Sequence, residues 1–320
     1  GCNSLTIVKI GNRVKNIEDN AFNSCGDLTS IIVPDSVTSI GNDVFNGCGS
    51  LTDVEIGGGV TSIGESVFGG CGSLSNIKVS GNNGSYKSVD GNLYSKDGQT
   101  LMQYAVGKSD TEFTIPDSVT SINANAFCGC VNLLRVSIGG GLKSVGYAAF
   151  KGCGSLTSVE ILDSVTNIGS AAFRECGSLA SVIIGNGVKN IEPSAFWGCD
   201  SLTSITIPNS VTRIETGAFG DCAGLTSVTI SSAETYVNPN AFEACPIERA
   251  IIPKSAISAI PLSKLKNLEI TSGDSVDSYI FQDCADLESV TLPDGMTSIG
   301  EYAFKNCVSL KIITIPESVT

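Results

Sequence analysis

Thirteen cysteines are the side chains in this chain best suited to chemistry. Twelve keep a spacing of 23 within three groups: Cys2, Cys25, Cys48 and Cys71; Cys130, Cys153, Cys176, Cys199, Cys222 and Cys245; Cys284 and Cys307. Thiols can pair as disulfides, hold a metal or act as nucleophiles. One cysteine per repeat suits none of these. Cα atoms about 5 Å apart on stacked coils would lie within disulfide range, but side chains in parallel register point the same way, which makes the torsion hard to reach. A line of thiols is no tetrahedron, and the chain has no histidine to complete a zinc site. The expectation is a row of free, buried thiols acting as small apolar side chains.

Cys128 alone is off the grid. It follows a repeat phenylalanine, at a position held elsewhere by Asn23, Asn46, Lys151, Arg174, Trp197, Glu243, Gln282 and Lys305. Such a mixture marks a solvent-facing row, so Cys128 is expected to be an exposed thiol. Lys151, Arg174 and Trp197 fall in this row on successive repeats. They form a candidate contact patch, because Trp and Arg are enriched among residues that dominate binding energy. Tyr86, Tyr94 and Tyr104 gather in an irregular stretch and are a second candidate, as a binding surface or as packing for that stretch. No histidine is present as a general base, no nucleophile elbow or phosphate loop occurs, and acidic residues are scattered along the repeats. No catalytic residue, metal ligand or cofactor is assigned.

The elements that position these side chains follow from the period. Each repeat reads V-T-S-I-G-x-x-A-F-x-x-C-x-S-L-T-S-V-x-I-P-x-S, with a phenylalanine three residues before each grid cysteine from Cys25 onward. The L-x-x-V-x-I run alternates apolar and polar as a strand does, and Val-Thr-Ser-Ile is a second, shorter β-like run. The Ala-Phe-x-x-Cys segment is too short for a stable helix and reads as a turn or a single helical turn. One coil has too few apolar residues for a core, so the repeats must stack, Leu on Leu, Phe on Phe and Cys on Cys. The last apolar residues of the main strand, from Ile10 to Ile315, predict about fourteen coils.

Two places break the period. Between Val79 and Ile115 the step is 36 instead of 23, and two β-like runs flank Asp97-Gly98, a β-hairpin signal within an insert at 80–113. The flanking coils carry the stacking residues, so the insert is expected to be dispensable for folding. Between Ile252 and Ile270 the step falls to 18 and the Ala-Phe-x-x-Cys segment is missing, which marks irregular coils at 246–283. The outward positions of the main strand are mostly Thr and Ser, interrupted by Glu, Lys and Ile, such as Ile32 and Ile183.

The pattern resembles the BspA-like branch of the leucine-rich repeat proteins. The phrases Ile115-Pro-Asp-Ser-Val-Thr-Ser-Ile122 and Cys199-Asp-Ser-Leu-Thr-Ser-Ile-Thr-Ile-Pro208 carry the resemblance, and the insert phrase Val89-Asp-Gly-Asn-Leu-Tyr-Ser-Lys-Asp-Gly-Gln-Thr-Leu101 looks like one that recurs in bacterial members. The resemblance implies a repeat solenoid over 1–320, a leucine-rich repeat right-handed superhelix, mostly β with short helical turns. It also implies a secreted or cell-surface protein that adheres to host or neighbouring-cell proteins. An extracellular-matrix or cell-surface protein is then the expected partner, and a passive spacer carrying other domains is the alternative.

Composition bears on the partner class. The net charge is −13, with 19 Lys plus Arg and no basic run, which argues against nucleic acid and against an anionic membrane surface. No apolar stretch approaches the ~18 residues of a membrane span, so no membrane insertion is expected. The chain begins mid-coil at Gly1-Cys2 and stops mid-coil at Val319-Thr320. The expectation is a segment of a longer protein whose targeting and anchoring parts lie outside it.

Overall fold

The alternating L-x-x-V-x-I run places every second side chain inward, and this alone sets the long strands. In the computed structural model, which describes residues 1–320, Ser30–Val33, Asp53–Ile56 and Ser204–Ile207 alternate exposed and buried along their length. Thirteen such long strands are present, from Ser30–Val33 to Ile312–Thr314. A fourteenth is expected at Ile10, but that coil contributes only a single parallel bridge, Ile7 to Ser30. Most long strands are followed by a two-residue strand, such as Ser39–Ile40, whose Ile points inward.

Two units make up the chain. The first comprises Gly1–Thr157 with Gly169–Gly177, the second Ser158–Ile168 with Ser178–Thr320. In the first, Ser30–Val33, Asp53–Ile56 and Asn76–Val79 pair in parallel, residue on residue at an offset of 23. In the second, Ser204–Ile207, Ser227–Ile230, Arg249–Ile252, Asn267–Ile270, Ser289–Thr291 and Ile312–Thr314 form one parallel sheet. Each unit is thus a β-solenoid. Helix is confined to two 3-10 segments, Lys254–Ala259 and Leu262–Lys264, in the coil that lacks Ala-Phe-x-x-Cys.

Elsewhere the Ala-Phe-x-x-Cys segment is a run of turns. The residue two before the phenylalanine is left-handed: Asn20, Asp43, Ser66, Asn125, Ala148 and Ala171 in the first unit, Ser194, Gly217, Tyr279 and Tyr302 in the second. This conformation lets the N–H of one coil reach a carbonyl of the next, as Asn20 does to Asn42 at 2.9 Å. Behind it the phenylalanine rings stack. Phe150 lies 4.5 Å from Phe127 and 5.0 Å from Phe173, and Phe219 lies 5.2 Å from both Phe196 and Phe242.

The grid cysteines are free thiols, and most are buried. They also do something the period does not reveal. The thiols of Cys48, Cys71, Cys153, Cys176, Cys222, Cys245 and Cys307 sit within hydrogen-bonding reach of the phenylalanine carbonyl of the coil before. Cys48 Sγ is 3.2 Å from Phe22 O, Cys176 Sγ 3.1 Å from Phe150 O and Cys245 Sγ 2.9 Å from Phe219 O. The row is therefore a ladder of weak donors between coils, and not only a filling for small gaps.

Candidate functional site

The insert folds as three antiparallel strands, Tyr86–Val89, Asn92–Ser95 and Thr100–Gln103. The last pairs in parallel with the regular two-residue strand Ser121–Ile122. Asn83 opens the insert in the place of a core valine. Its buried amide donates to Gly57 O and Val60 O at 2.9 and 3.0 Å and accepts from the N–H groups of Ser85 and Tyr86 at 2.8 Å. All four of its hydrogen-bonding positions are used, so a polar side chain in the core carries no unmet demand.

The insert's tyrosines face inward, which corrects their candidacy as a contact surface. Tyr104 is fully buried and Tyr94 is 5% exposed. Tyr104 stands in the phenylalanine row, 5.0 Å from the Phe127 ring and tilted against Phe113 at 4.8 Å. Gly107 then takes the place of the grid cysteine. A Cβ there would meet Ser73 backbone atoms at 2.3 Å, so no side chain fits. Tyr86 is half-buried, and its hydroxyl accepts from the Ile63 N–H at 2.9 Å. Burial raises the pKa of all three phenols, with the Asp90 charge adding to the effect at Tyr94. The insert supplies a coil's own stacking residues, which argues against the expectation that it is dispensable for folding.

Cys128 is half-buried, not exposed. Desolvation raises its pKa; Lys151 works against that rise and Glu175 with it. A side chain on a coil turn is flanked by the same row one coil away, so a polar-variable row is not an open one. Lys151 and Arg174 lie on neighbouring coils of the first unit, where Gly152 N–H donates to Arg174 O at 2.8 Å. Both are half-buried, and Arg174 Nε pairs with Glu175 at 3.1 Å. Trp197 belongs to the second unit. Its ring lies over Gly217 and Gly220, where an added Cβ would meet it at 2.8 and 2.5 Å. The two glycines make the seat on which the indole lies.

The long-strand face is open. Ile32 and Ile183 are 62% and 57% exposed. Ile32 lines a depression of about 820 Å³ together with Pro34, Glu55, Gly57 and Lys78. Ile183 lines one of about 300 Å³ with Ser204, Thr206 and Pro208. Lys78 pairs with Glu55 across one coil step at 3.4 Å, with both side chains more than half exposed.

A model of the BspA type leucine rich repeat region matches residues 1–96, 104–203, 143–262 and 261–320, in six copies. The chain belongs to the BspA-type leucine-rich repeat family. Solved structures agree on the fold. A leucine-rich repeat protein from Eubacterium ventriosum is 23% identical with a TM-score of 0.57, covering 96% of this chain and 83% of its own. One from Bacteroides ovatus is 23% identical with a TM-score of 0.58, covering 96% and 78%. The pneumococcal vaccine antigen PcpA is 25% identical with a TM-score of 0.65, covering 81% of this chain and 66% of its own. None of the curated proteins matches.

Leucine-rich repeat chains of this kind are generally protein-interaction scaffolds. No group of three His, Cys, Asp or Glu side chains converges in a metal-holding geometry. No helix is long and apolar enough to cross a membrane. One feature escaped the sequence. At the irregular coil, Lys254 Nζ is held by Asp277 at 2.9 Å, Ser275 Oγ at 2.7 Å and Asp274 at 3.7 Å, beside a cavity of about 590 Å³. The lost Phe-x-x-Cys segment was the signal for it, though not for the residues that line it.

Proposed function

We propose that this chain is a non-catalytic protein-binding module of a secreted or cell-surface protein, acting in adhesion or contact with host or neighbouring cells. One observation carries the reading: Ile32 and Ile183 stand exposed on a strand face that is otherwise mostly hydroxylated and charged, each beside a shallow depression. An apolar anchor ringed by polar groups is the pattern of a protein interface. The depressions are too open to enclose a small ligand. Family membership supports the same class, and the likeness to PcpA, a vaccine antigen, supports a surface location. Lys151 and Arg174 in the first unit, and separately Trp197 in the second, remain further contact candidates.

The test is surface plasmon resonance against a panel of purified extracellular-matrix and cell-surface proteins. The reading predicts saturable binding to at least one, weakened about tenfold or more by Ile32→Asp or Ile183→Asp if the anchor is central. A passive spacer would bind none, and that result would overturn the proposal.

A further inference from the structure

The short-strand face of the second unit is interrupted at one coil. The two-residue strands pair in register up to Arg213 with Tyr236 and Ile214 with Val237, and pairing resumes only at Ser275 with Ser298 and Val276 with Ile299. Between them runs the 3-10 segment Lys254–Ala259. The turn ladder breaks in the same place. Gly217 N–H reaches Asn240 O at 3.1 Å and Tyr279 N–H reaches Glu301 O at 3.0 Å, each from one coil to the next. The Asn240 N–H, next in that series, is taken by Asn238 Oδ1 of its own coil at 3.0 Å. The missing segment leaves a notch of about 590 Å³. Ile257 and Ile280 give it apolar surface, Ser258 and Ser272 give hydroxyls, and the Lys254–Asp277 pair closes one side.

The rim is acidic. The Asp274 side chain is 85% exposed and Asp277 63%, while the one cation between them, Lys254, is 26% exposed. Glu234, next to the notch residue Ala233, is exposed as well. Beside the notch stands Tyr279, directly before Ile280. It is left-handed at φ 61 like most of its row, Tyr302 on the next coil included, and half exposed. One side of its ring packs against the tilted ring of Tyr302 at 5.4 Å. Tyr279 is the first of its row after the interruption, so the row places no ring against the other face.

We propose that this notch docks a segment of a partner protein in which an apolar side chain stands next to an arginine. This rests on the protein-binding reading above and adds a place and a chemistry to it. The apolar side chain covers Ile257 and Ile280. The guanidinium pairs with Asp274 and Asp277, for which its planar fork is suited, and stacks on Tyr279. The net charge of −13 draws a basic partner to the whole chain.

The probe is the dipeptide Ac-Phe-Arg-NH2, titrated to millimolar concentration into the isotope-labelled full chain and followed by amide NMR shifts. Saturable shifts confined to 254–258 and 272–280 are expected. Asp277→Asn and Ser258→Trp should each weaken them about tenfold, Tyr279→Asn less, and added salt should weaken them too. Ac-Phe-Glu-NH2 should give no response. Shifts elsewhere, no saturation, equal response to the Glu peptide, or a neutral oligosaccharide occupying these residues in place of the dipeptide would overturn the proposal. Should Asp277→Asn lower the melting temperature sharply, Ser258→Trp decides, since Ser258 is exposed. A matrix protein that binds wild type and Ser258→Trp equally overturns the notch and leaves the binding-module reading intact. A panel without any partner does the reverse.

Discussion

The regular coil around Phe150 and the insert coil around Tyr104 solve the same stacking problem with different parts. In the first, the Phe150 ring lies between Phe127 and Phe173, and the Cys153 thiol reaches Phe127 O at 3.3 Å. In the second, a tyrosine takes the ring position and a glycine the thiol position, and three antiparallel strands occupy the short-strand side. The shape of the row is kept while its residues change. A solenoid of this kind accepts extra residues on one side of a coil if the chain returns to the ring row in register. The added segment then becomes part of the core, because it alone supplies that coil's ring.

The largest effect expected from this comparison is loss of the fold. Deleting Asn83–Lys108 removes the buried Leu93, Leu101, Tyr104 and Val106 together. The first unit should lose its cooperative thermal transition by circular dichroism. A deletion protein that melts within a few degrees of wild type would show that the insert is a separable appendage.

Single rings come next. Phe150→Ala and Tyr104→Ala should each cost about 3–5 kcal/mol, because the rings packed against each, Phe127 and Phe173 on one and Phe127 and Phe113 on the other, cannot collapse fully into the gap. Equal costs would support the equivalence of the two coils in denaturant melts. A cost below about 1 kcal/mol for Tyr104 alone would break it, since that is the scale of an ordinary surface change.

Much of this was legible in advance. The phenylalanine, cysteine, leucine and isoleucine rows repeat every 23 residues, and identical residues at identical spacing can only stack. The insert's role was hidden because Tyr104 is followed three residues later by Gly107, so its row carries neither Phe nor Cys. Cys128 misled for another reason. Its row varies in polarity, but desolvation raises its pKa, Glu175 and Cys176 add to the rise, and only Lys151 opposes it. The Lys254 notch required three coils to be seen at once. Absence of a motif says where the stack is interrupted, but not which charges meet there.

A third prediction uses the thiol ladder. Burial pushes Cys284 up to about 11 from an unperturbed 9.0, and Cys222, chiefly through its hydrogen bond with Cys199, up to about 12. The folded state keeps these thiols protonated where the unfolded chain would ionise them. Their contribution is fully present below about pH 9 and is lost as pH rises toward 11–12. Melting temperature should therefore fall over that window, and Cys284→Ser should make the fall shallower. An unchanged slope in the variant would remove Cys284 from the account.

The smallest effect is at the surface. Arg174→Ala should change stability by no more than about 0.5 kcal/mol, as expected for a half-exposed ion pair. A loss comparable to that of Phe150→Ala would reverse the assignment of inside and outside.

Native-state hydrogen exchange read by mass spectrometry tests the central claim most directly, by comparing the amides of 100–106 in the insert with those of 144–150 in a regular coil. If the insert coil belongs to the stack, both segments should open together, with the same protection and the same response to low denaturant. Exchange of 100–106 through a separate, low-energy opening while 144–150 stays protected would contradict the account.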